Sequence, residues 1–502
     1  MTKLKVEEMA AFCKQKGFIF NAADIYGGLS GFFDFGPLGV ELKNNLKNLY
    51  RKEFIHKRED MFEQDGSIIT NPKVWKASGH VDNFGDLVLT TKKSKTKIRA
   101  DHFIEDELDV SAEGLSAEDI NELVKKHNLK YNGEDFEEVK DFNLMFSTSV
   151  GADTSSASTA YLRPETCQSI FPNFRLIADT SRAKLPFGIV QMGKAFRNEI
   201  SPRDFIFRCR EFEQIEMEYF IDPENTLELE KKVLERKIKF WSKESQDENN
   251  KEMKEIKLKE LQGEINNYHI YWLYEAYEFF TKVLGLKEEN LRIREHTKTE
   301  LSHYSSATLD IDYKYPMGFK ELMGIANRTD YDLKQHQKHS KSKLELYDDA
   351  SQRKVLPHVI EPSLGVERLF FAVLYDAYED DKERGNKVLK LQNKLAPYKV
   401  AVFPLMNKEE LVSKAKEIKN MLIDQDLVCL YDKSGSVGKR YARQDEIGTP
   451  YTITVDYESL KEKKDTFTIR NRDDTKQVRV NIKELARVVD NLVQGKVRFD
   501  EL

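Results

Sequence analysis

The stretch that most constrains the fold runs from Gly193 to Phe220, GKAFRNEISPRDFIFRCREFEQIEMEYF. Ala195 to Glu199 read as the end of one strand. Arg208 to Phe220 read as its return partner, with Phe212, Ile215, Met217 and Tyr219 spread along it. Ser201, Pro202, Arg203 and Asp204 supply turn chemistry between the two. The result is a long-looped antiparallel hairpin with Arg197, Arg203, Arg208 and Arg210 around its tip and walls. A guanidinium fork binds two oxygens at once and suits phosphate. Four arginines around one loop therefore suggest a triphosphate cradle, against the alternative of a surface hairpin with solvated charges.

The 502 residues call for two to four domains, and 40% hydrophobic content supplies large cores. No apolar run approaches a membrane span. The N-terminus, MTKLKVEEMA, has no apolar signal core and points to the cytosol. A net charge of −6 means that any nucleic-acid contact must be local. Lys92, Lys93, Lys95, Lys97 and Arg99 form one candidate patch, or equally a solvated loop. Cys13, Cys167, Cys209 and Cys429 are too far apart for a zinc knuckle. Gly27, Gly28, Gly31 and Gly36 do not fit a dinucleotide fingerprint, because no strand leads into them. Gly435 to Arg440 is too short for a P-loop.

Phe196, Arg197 and Glu199, a loop, then Arg208 and Phe212 resemble the second signature of the class II aminoacyl-tRNA synthetases. The run Glu361-Pro362-Ser363-Leu364-Gly365-Val366-Glu367-Arg368, followed by the apolar Leu369 to Leu374, resembles the third. A helix opened by Pro37 and running through Phe54 resembles the first, a dimer-interface helix followed by a strand, here expected at Ile68 to Pro72. The wording YLRPETCQ, EFEQIEMEYF and EPSLGVER is similar to the homodimeric glycyl-tRNA synthetases, from about Phe12 to the C-terminus.

The resemblance implies an α+β fold: a class II synthetase antiparallel-sheet catalytic domain over residues 1–395, with helical insertions at about 100–145 and 221–300, plus a C-terminal α/β anticodon-binding domain over 396–502. The charged run from Leu227 to Ile265 reads as helical, either a coiled hairpin touching tRNA or a solvated excursion. Gly151 to Ala160, low in complexity, reads as a mobile loop. In the last hundred residues, strand and helix patterns alternate in βαβα order, implying a small parallel or mixed sheet. Lys433, Lys439, Arg440 and Arg443 surround a glycine turn there and suit anticodon phosphates, with Tyr441, Gln444 and Asp445 as base-reading candidates.

The resemblance also implies a ligase that activates glycine with ATP and passes it to the 3′ end of tRNA(Gly). Arg197 and Arg368 would be the catalytic cations. ATP would meet Arg197, Asn198, Glu199, Phe207, Arg208, Cys209, Arg210, Glu211, Phe212, Glu321, Leu322, Gly365, Val366, Glu367 and Arg368. Phe212 would stack on adenine, with Arg368 over its other face. Glycine would meet Arg99, Glu165, Phe212, Glu213, Gln214, Ile215, Glu216, Glu361, Pro362, Ser363, Leu364 and Gly365. Glu165, Glu216 and Glu361 would take its ammonium and Arg99 its carboxylate. Glu321 would hold Mg2+, or else pair with Lys320 or Arg328. Some relatives carry a Cys-x-x-Cys knuckle where Thr91 and Ser94 stand here, so no zinc is expected. The expected partners are ATP, glycine, tRNA(Gly) and a second copy of the chain, with no membrane and a cytoplasmic location. Cys209, between two arginines, is a candidate low-pKa thiol. The rival reading is a catalytically inactive synthetase-like protein serving in RNA binding or as a polymerase accessory subunit. Such a protein would be expected to lose the phosphate arginines that this chain retains.

Overall fold

The computed structural model describes residues 4–108, 110, 112, 115–151, 159–247, 253–302, 304–348, 351–461 and 465–502. The loop expected at Gly151 to Ala160 lies, apart from its ends, outside the described residues.

The hairpin forms the seventh and eighth strands of a nine-stranded sheet. In spatial order its strands are Lys254–Lys257, Lys237–Trp241, Leu291–Glu295, Ala307–Tyr315, Gly318–Thr329, His358–Gly365, Glu211–Ile221, Phe187–Phe196 and Met61–Gln64. All neighbours are antiparallel except Lys237–Trp241 with Leu291–Glu295, and Met61–Gln64 with Phe187–Phe196. The period-2 geometry of a strand divides its residues between two faces. Along Glu211–Ile221, the odd positions Ile215, Met217 and Tyr219 enter the main core. The helices Pro37–Arg51, Asn267–Glu278 and Val366–Ala377 contribute to that core from their buried faces. The even positions Phe212, Gln214 and Glu216 line a cavity on the other face.

Three sequence expectations change here. No strand forms at Ile68 to Pro72. Ile69 makes a single bridge to Leu162, and Pro72 opens the helix Pro72–Ala77, where its missing N–H costs nothing. The strand that follows the first long helix is Met61–Gln64. The run from Leu227 is not a helical hairpin either. It contains the strands Lys237–Trp241 and Lys254–Lys257, which extend the central sheet, and becomes a long helix only at Asn267–Glu278. Ile238 is buried, and Phe240 and Ile256 pack on the core. The intervening lysines and glutamates give the segment a helical composition while guarding a sheet edge against further pairing. The insertion near 100–145 is mixed. The helices Ala100–Leu108 and Ala117–Lys126 pack on a three-stranded sheet, Gly85–Thr90 with Lys97–Arg99 and Lys140–Asn143, around a small core of their own.

Beyond Ala396 the chain forms a five-stranded mixed sheet, in the order Cys429–Tyr431, Val400–Pro404, Tyr451–Val455, Thr466–Asn471 and Gln477–Asn481. The helices Glu409–Ile423, Val437–Ile447 and Ile482–Gln494 accompany it, and Val400, Val402, Ile418, Ile453, Ile469 and Val489 belong to a separate core. This unit is fastened to the preceding one. Lys16 pairs with Glu446 at 2.5 Å, and Arg472 donates to the Leu391 carbonyl at 2.8 Å.

Candidate active site

The cavity of about 260 Å³ opens on the face of the sheet opposite the main core, across the strands Gly318–Thr329, His358–Gly365 and Glu211–Ile221. Register fixes who meets whom. Glu216 lies beside Ser363, Ser363 beside Gly324, and Ala326 beside Glu361.

One end of the cavity is acidic. Glu216 is held by five hydrogen bonds. Its Oε2 accepts from the Thr166 N–H (2.7 Å), the Thr166 hydroxyl (2.6 Å) and the Cys167 N–H (2.7 Å), and its Oε1 from Gln214 (3.0 Å) and the Ser363 hydroxyl (2.9 Å). Glu361 accepts from Arg328 Nη1 at both oxygens, while Nε and Nη2 of the same guanidinium donate to Asp332. Burial, reinforced by Glu216 and Glu165 and opposed by Arg328, pushes the Glu361 carboxyl up to about 7. Glu165 lies 3.2 Å from His80 Nε2 and accepts from the Cys167 thiol at 2.9 Å. Burial pushes Glu165 up as well, but the charge and hydrogen bond of His80, with the charge of Arg328, outweigh it and hold the carboxyl below its ordinary range. His80 is itself fixed by Ser78 at 2.8 Å.

The other end carries the arginines. The Arg197 guanidinium donates to the Pro164 carbonyl at 3.0 Å and lies over the Phe212 ring at 5.5 Å. Arg208 faces Glu199 at 3.5 Å. Arg368 pairs with Glu321 at 2.9 Å and covers Phe207 at 4.5 Å. Glu321 therefore pairs with Arg368, not with Lys320 or Arg328. Gly324 lies between two carboxylates: a Cβ there would stand 3.4 Å from Asp310 Oδ1 and 3.7 Å from Glu321 Oε1. The other oxygen of Asp310 is taken by Arg294 (2.7 Å) and His296 (2.8 Å). Two carboxylates facing one gap beside the arginines offer the hard oxygen donors that Mg2+ prefers, so the residues present fit that ion.

Of the residues expected from sequence, Glu165, Arg197, Glu199, Phe207, Arg208, Cys209, Phe212, Gln214, Glu216, Glu321, Glu361, Ser363, Gly365, Glu367 and Arg368 line this cavity. Others do not. Arg99 lines an adjoining cavity and is held by Asp101 (2.8 Å) and Asp86 (3.2 Å). Glu213 sits at an odd position and turns to Lys43 and Lys47 of the helix Pro37–Arg51. Ile215, Leu364, Leu322 and Val366 belong to the core. Pro362, at an even position between Glu361 and Ser363, is buried outside the cavity lining. Asn198 donates its N–H to Leu144, and Glu211 pairs with Lys194. Arg210 donates to the carbonyls of Glu199 and Ser30, tying the glycine loop to the hairpin. Arg368 covers Phe207 rather than facing Phe212. Cys209 is not a low-pKa thiol: burial pushes it well above its ordinary value despite the adjacent arginines.

Sequence reading gave no site role to Tyr304 or Asp310, read His80 as structural, and weighed Arg328 only as a partner of Glu321. Arg328 continues the alternation Gly324, Ala326, and that parity was the available signal. In the C-terminal unit, Arg440 is buried and donates to the Pro404 and Leu405 carbonyls. Tyr441 bonds Thr454, Gln444 accepts from Thr449, and Asp445 takes both forks of Arg470. These residues hold the helix Val437–Ile447 to its surroundings and are not presented for base reading. Thr91 and Ser94 hydrogen-bond to each other at 2.7 Å.

Residues 150–377 match the family described as tRNA synthetase class II core domain (G, H, P, S and T), and residues 399–492 match the anticodon binding domain. The chain is 42% identical to a glycine–tRNA ligase of Caldanaerobacter subterraneus and 43% identical to one of Acetivibrio thermocellus, each over 99% of both chains. It is 44% identical to a glycine–tRNA ligase of Malacoplasma penetrans over 96% of each.

Proposed function

The chain belongs to the glycine–tRNA ligase family of class II aminoacyl-tRNA synthetases, and on that premise we propose which of its residues do the work. The enzyme activates glycine with ATP and transfers it to tRNA. The glycine carboxylate attacks the α-phosphate, pyrophosphate leaves, and the terminal ribose hydroxyl then takes the glycyl group. Such displacement needs positioning and charge stabilisation more than a protein nucleophile.

In this reading Arg197 holds the α-phosphate, and Arg208 and Arg368 hold the phosphates beyond it. Phe212 and Phe207 offer faces to the adenine. Glu321, with Asp310 beside it, would hold Mg2+, which supplies charge neutralisation at the phosphates. Glu165 and Glu361 receive the substrate ammonium, with Glu216 as the fixed wall between them and Ser363 filling the space beside the α-carbon. The observation that supports this most is the pairing of three buried carboxylates with three arginines across one small cavity. An extra methyl has to displace Ser363 or the pinned Glu216, and a filled pocket rejects it by clash. The inactive-relative reading loses support because the phosphate arginines and the carboxylates are all present.

The division at 395/396 and a homodimeric state are part of the proposal. Ile25, Tyr26, Leu29 and Val40 are large apolar residues exposed on the glycine loop and the first long helix, which suits a second copy as their partner. The cytoplasm, where tRNA and ATP meet, is the proposed location. The test of the pocket is Glu361→Gln. It should raise KM for glycine far more than KM for ATP in pyrophosphate exchange, and an equal loss of both would contradict the assignment.

A further inference from the structure

Behind the glycine pocket lies a carboxyl group with no assigned task. Glu218 is two residues beyond Glu216 on the same face of its strand, and it is completely buried. The register that pairs Glu216 with Ser363 and Tyr219 with Ile360 sets Glu218 level with Glu361 on the next strand. One Glu218 oxygen, one Glu361 oxygen and the Cys167 sulfur lie within 4.8 Å of one another. Neither carboxyl oxygen of Glu218 has a hydrogen-bond partner among the described residues.

The surroundings define what such a group can be. Arg328 is the cation beside it, and that guanidinium is spent: Nη1 on Glu361, Nε and Nη2 on Asp332. Asp332 and Glu216 add negative charge nearby. An ionised Glu218 would be a further buried carboxylate with no counter-charge and no donor, an arrangement proteins avoid by keeping the group neutral. A neutral carboxylic acid differs in one respect from a carboxylate: it has an O–H to donate. The carboxylate that the strand register sets beside it is Glu361, with an oxygen within 4.8 Å.

We propose that Glu218 is an un-ionised carboxylic acid that donates its O–H to Glu361, and that it acts as a positioning residue holding that carboxylate toward the amino group of the substrate. Burial and the neighbouring Glu361 push the Glu218 carboxyl well above its ordinary range, in keeping with this assignment. The inference rests on the proposed glycine pocket and goes beyond it by naming a residue that never touches substrate. Its action is on orientation: Arg328 grips Glu361 from one side and Glu218 from another, so the carboxylate has one direction left to offer.

The experiment uses the full-length chain with Glu218→Gln, Glu218→Leu and Glu361→Gln, and measures KM for glycine and for ATP in pyrophosphate exchange. Infrared difference spectra of the wild type against Glu218→Gln complete the set. Glutamine keeps a neutral donor, so Glu218→Gln should hold KM for glycine within about threefold. Leucine has no donor, and losing a hydrogen bond to a charged acceptor should raise KM for glycine about tenfold, with KM for ATP unchanged. The wild type should show the carbonyl band of an un-ionised carboxyl, absent from Glu218→Gln. If Glu218→Gln weakens glycine as much as Glu218→Leu, or if the band is missing, the residue acts through charge and the proposal is overturned. An unchanged KM in Glu218→Leu overturns it equally. Should the leucine variant not fold, the glutamine variant and the infrared band still decide. The pocket reading fails separately, if Glu361→Gln leaves KM for glycine unaltered.

Discussion

Arg328 donates from a single nitrogen, Nη1, to both oxygens of Glu361, at 2.9 and 2.8 Å, and from its other two nitrogens to Asp332. One buried guanidinium thus joins the wall of the proposed glycine pocket to the helix Tyr331–Ser340. Its removal should be felt in both stability and substrate binding. Arg328→Met leaves two buried carboxylates, Asp332 and Glu361, without their shared counter-charge and should destabilise the fold by about 3 kcal/mol, read by thermal or denaturant unfolding. Arg328→Lys keeps the charge but not the fork, and should raise KM for glycine about tenfold while sparing KM for ATP.

The same site should respond to pH. Glu361 is pushed up to about 7, chiefly by burial. Below that value it carries a proton and no longer offers a full charge to the ammonium. KM for glycine should therefore climb as pH falls through about 7 and level off above it. Glu361→Gln should abolish this dependence, and a pH profile of glycine KM on both proteins checks it.

At the other end of the cavity, Arg197 is the test of the phosphate assignment. Arg197→Lys replaces a planar fork by a point charge. Adenylate formation should fall about a hundredfold, the scale of losing one preorganised donor at developing charge. The fold should be unaffected, because Arg197 contributes one hydrogen bond, to the Pro164 carbonyl.

Much of this arrangement was readable in the chain. The alternation through Glu211–Ile221 and the small-residue turn before Arg368 are local signals, and local signals survive in a sequence. What escaped depends on tertiary neighbours. Arg328 stands at a register irregularity between Asn327 and Thr329, two residues beyond the Ala326 that pairs with Glu361, and such a break leaves no mark in the sequence. Glu213 and Ile215 lie among true pocket residues in sequence, yet the strand's alternation sends them to the opposite face. The edge strands at Lys237 and Lys254 were hidden because lysine and glutamate dominate their composition, although Ile238, Phe240 and Ile256 kept period 2. In the helix Val437–Ile447, Arg440, Gln444 and Asp445 look like surface residues until both sides of the helix are seen to be covered.

That last correction redirects the RNA contacts. Lys433 and Lys439 are exposed, whereas Arg440 is committed to two carbonyls. Lys433→Ala and Lys439→Ala should each weaken tRNA binding and reduce its salt slope by about one, leaving pyrophosphate exchange untouched. Arg440→Ala should instead destabilise the C-terminal unit by about 1–3 kcal/mol, by orphaning buried acceptors. Filter binding across a salt series, with unfolding curves, separates the two outcomes.

In the proposed reading, this cavity activates glycine and excludes larger amino acids because Glu165, Glu216, Glu361 and Ser363 already occupy the space around the α-carbon. ATP–pyrophosphate exchange, screened across the amino acids with the intact chain, tests it most directly. Glycine should support exchange, and alanine and serine should fail even at high concentration. Exchange with alanine or serine at an efficiency comparable to glycine, or no exchange with any amino acid by a folded protein, would contradict the account.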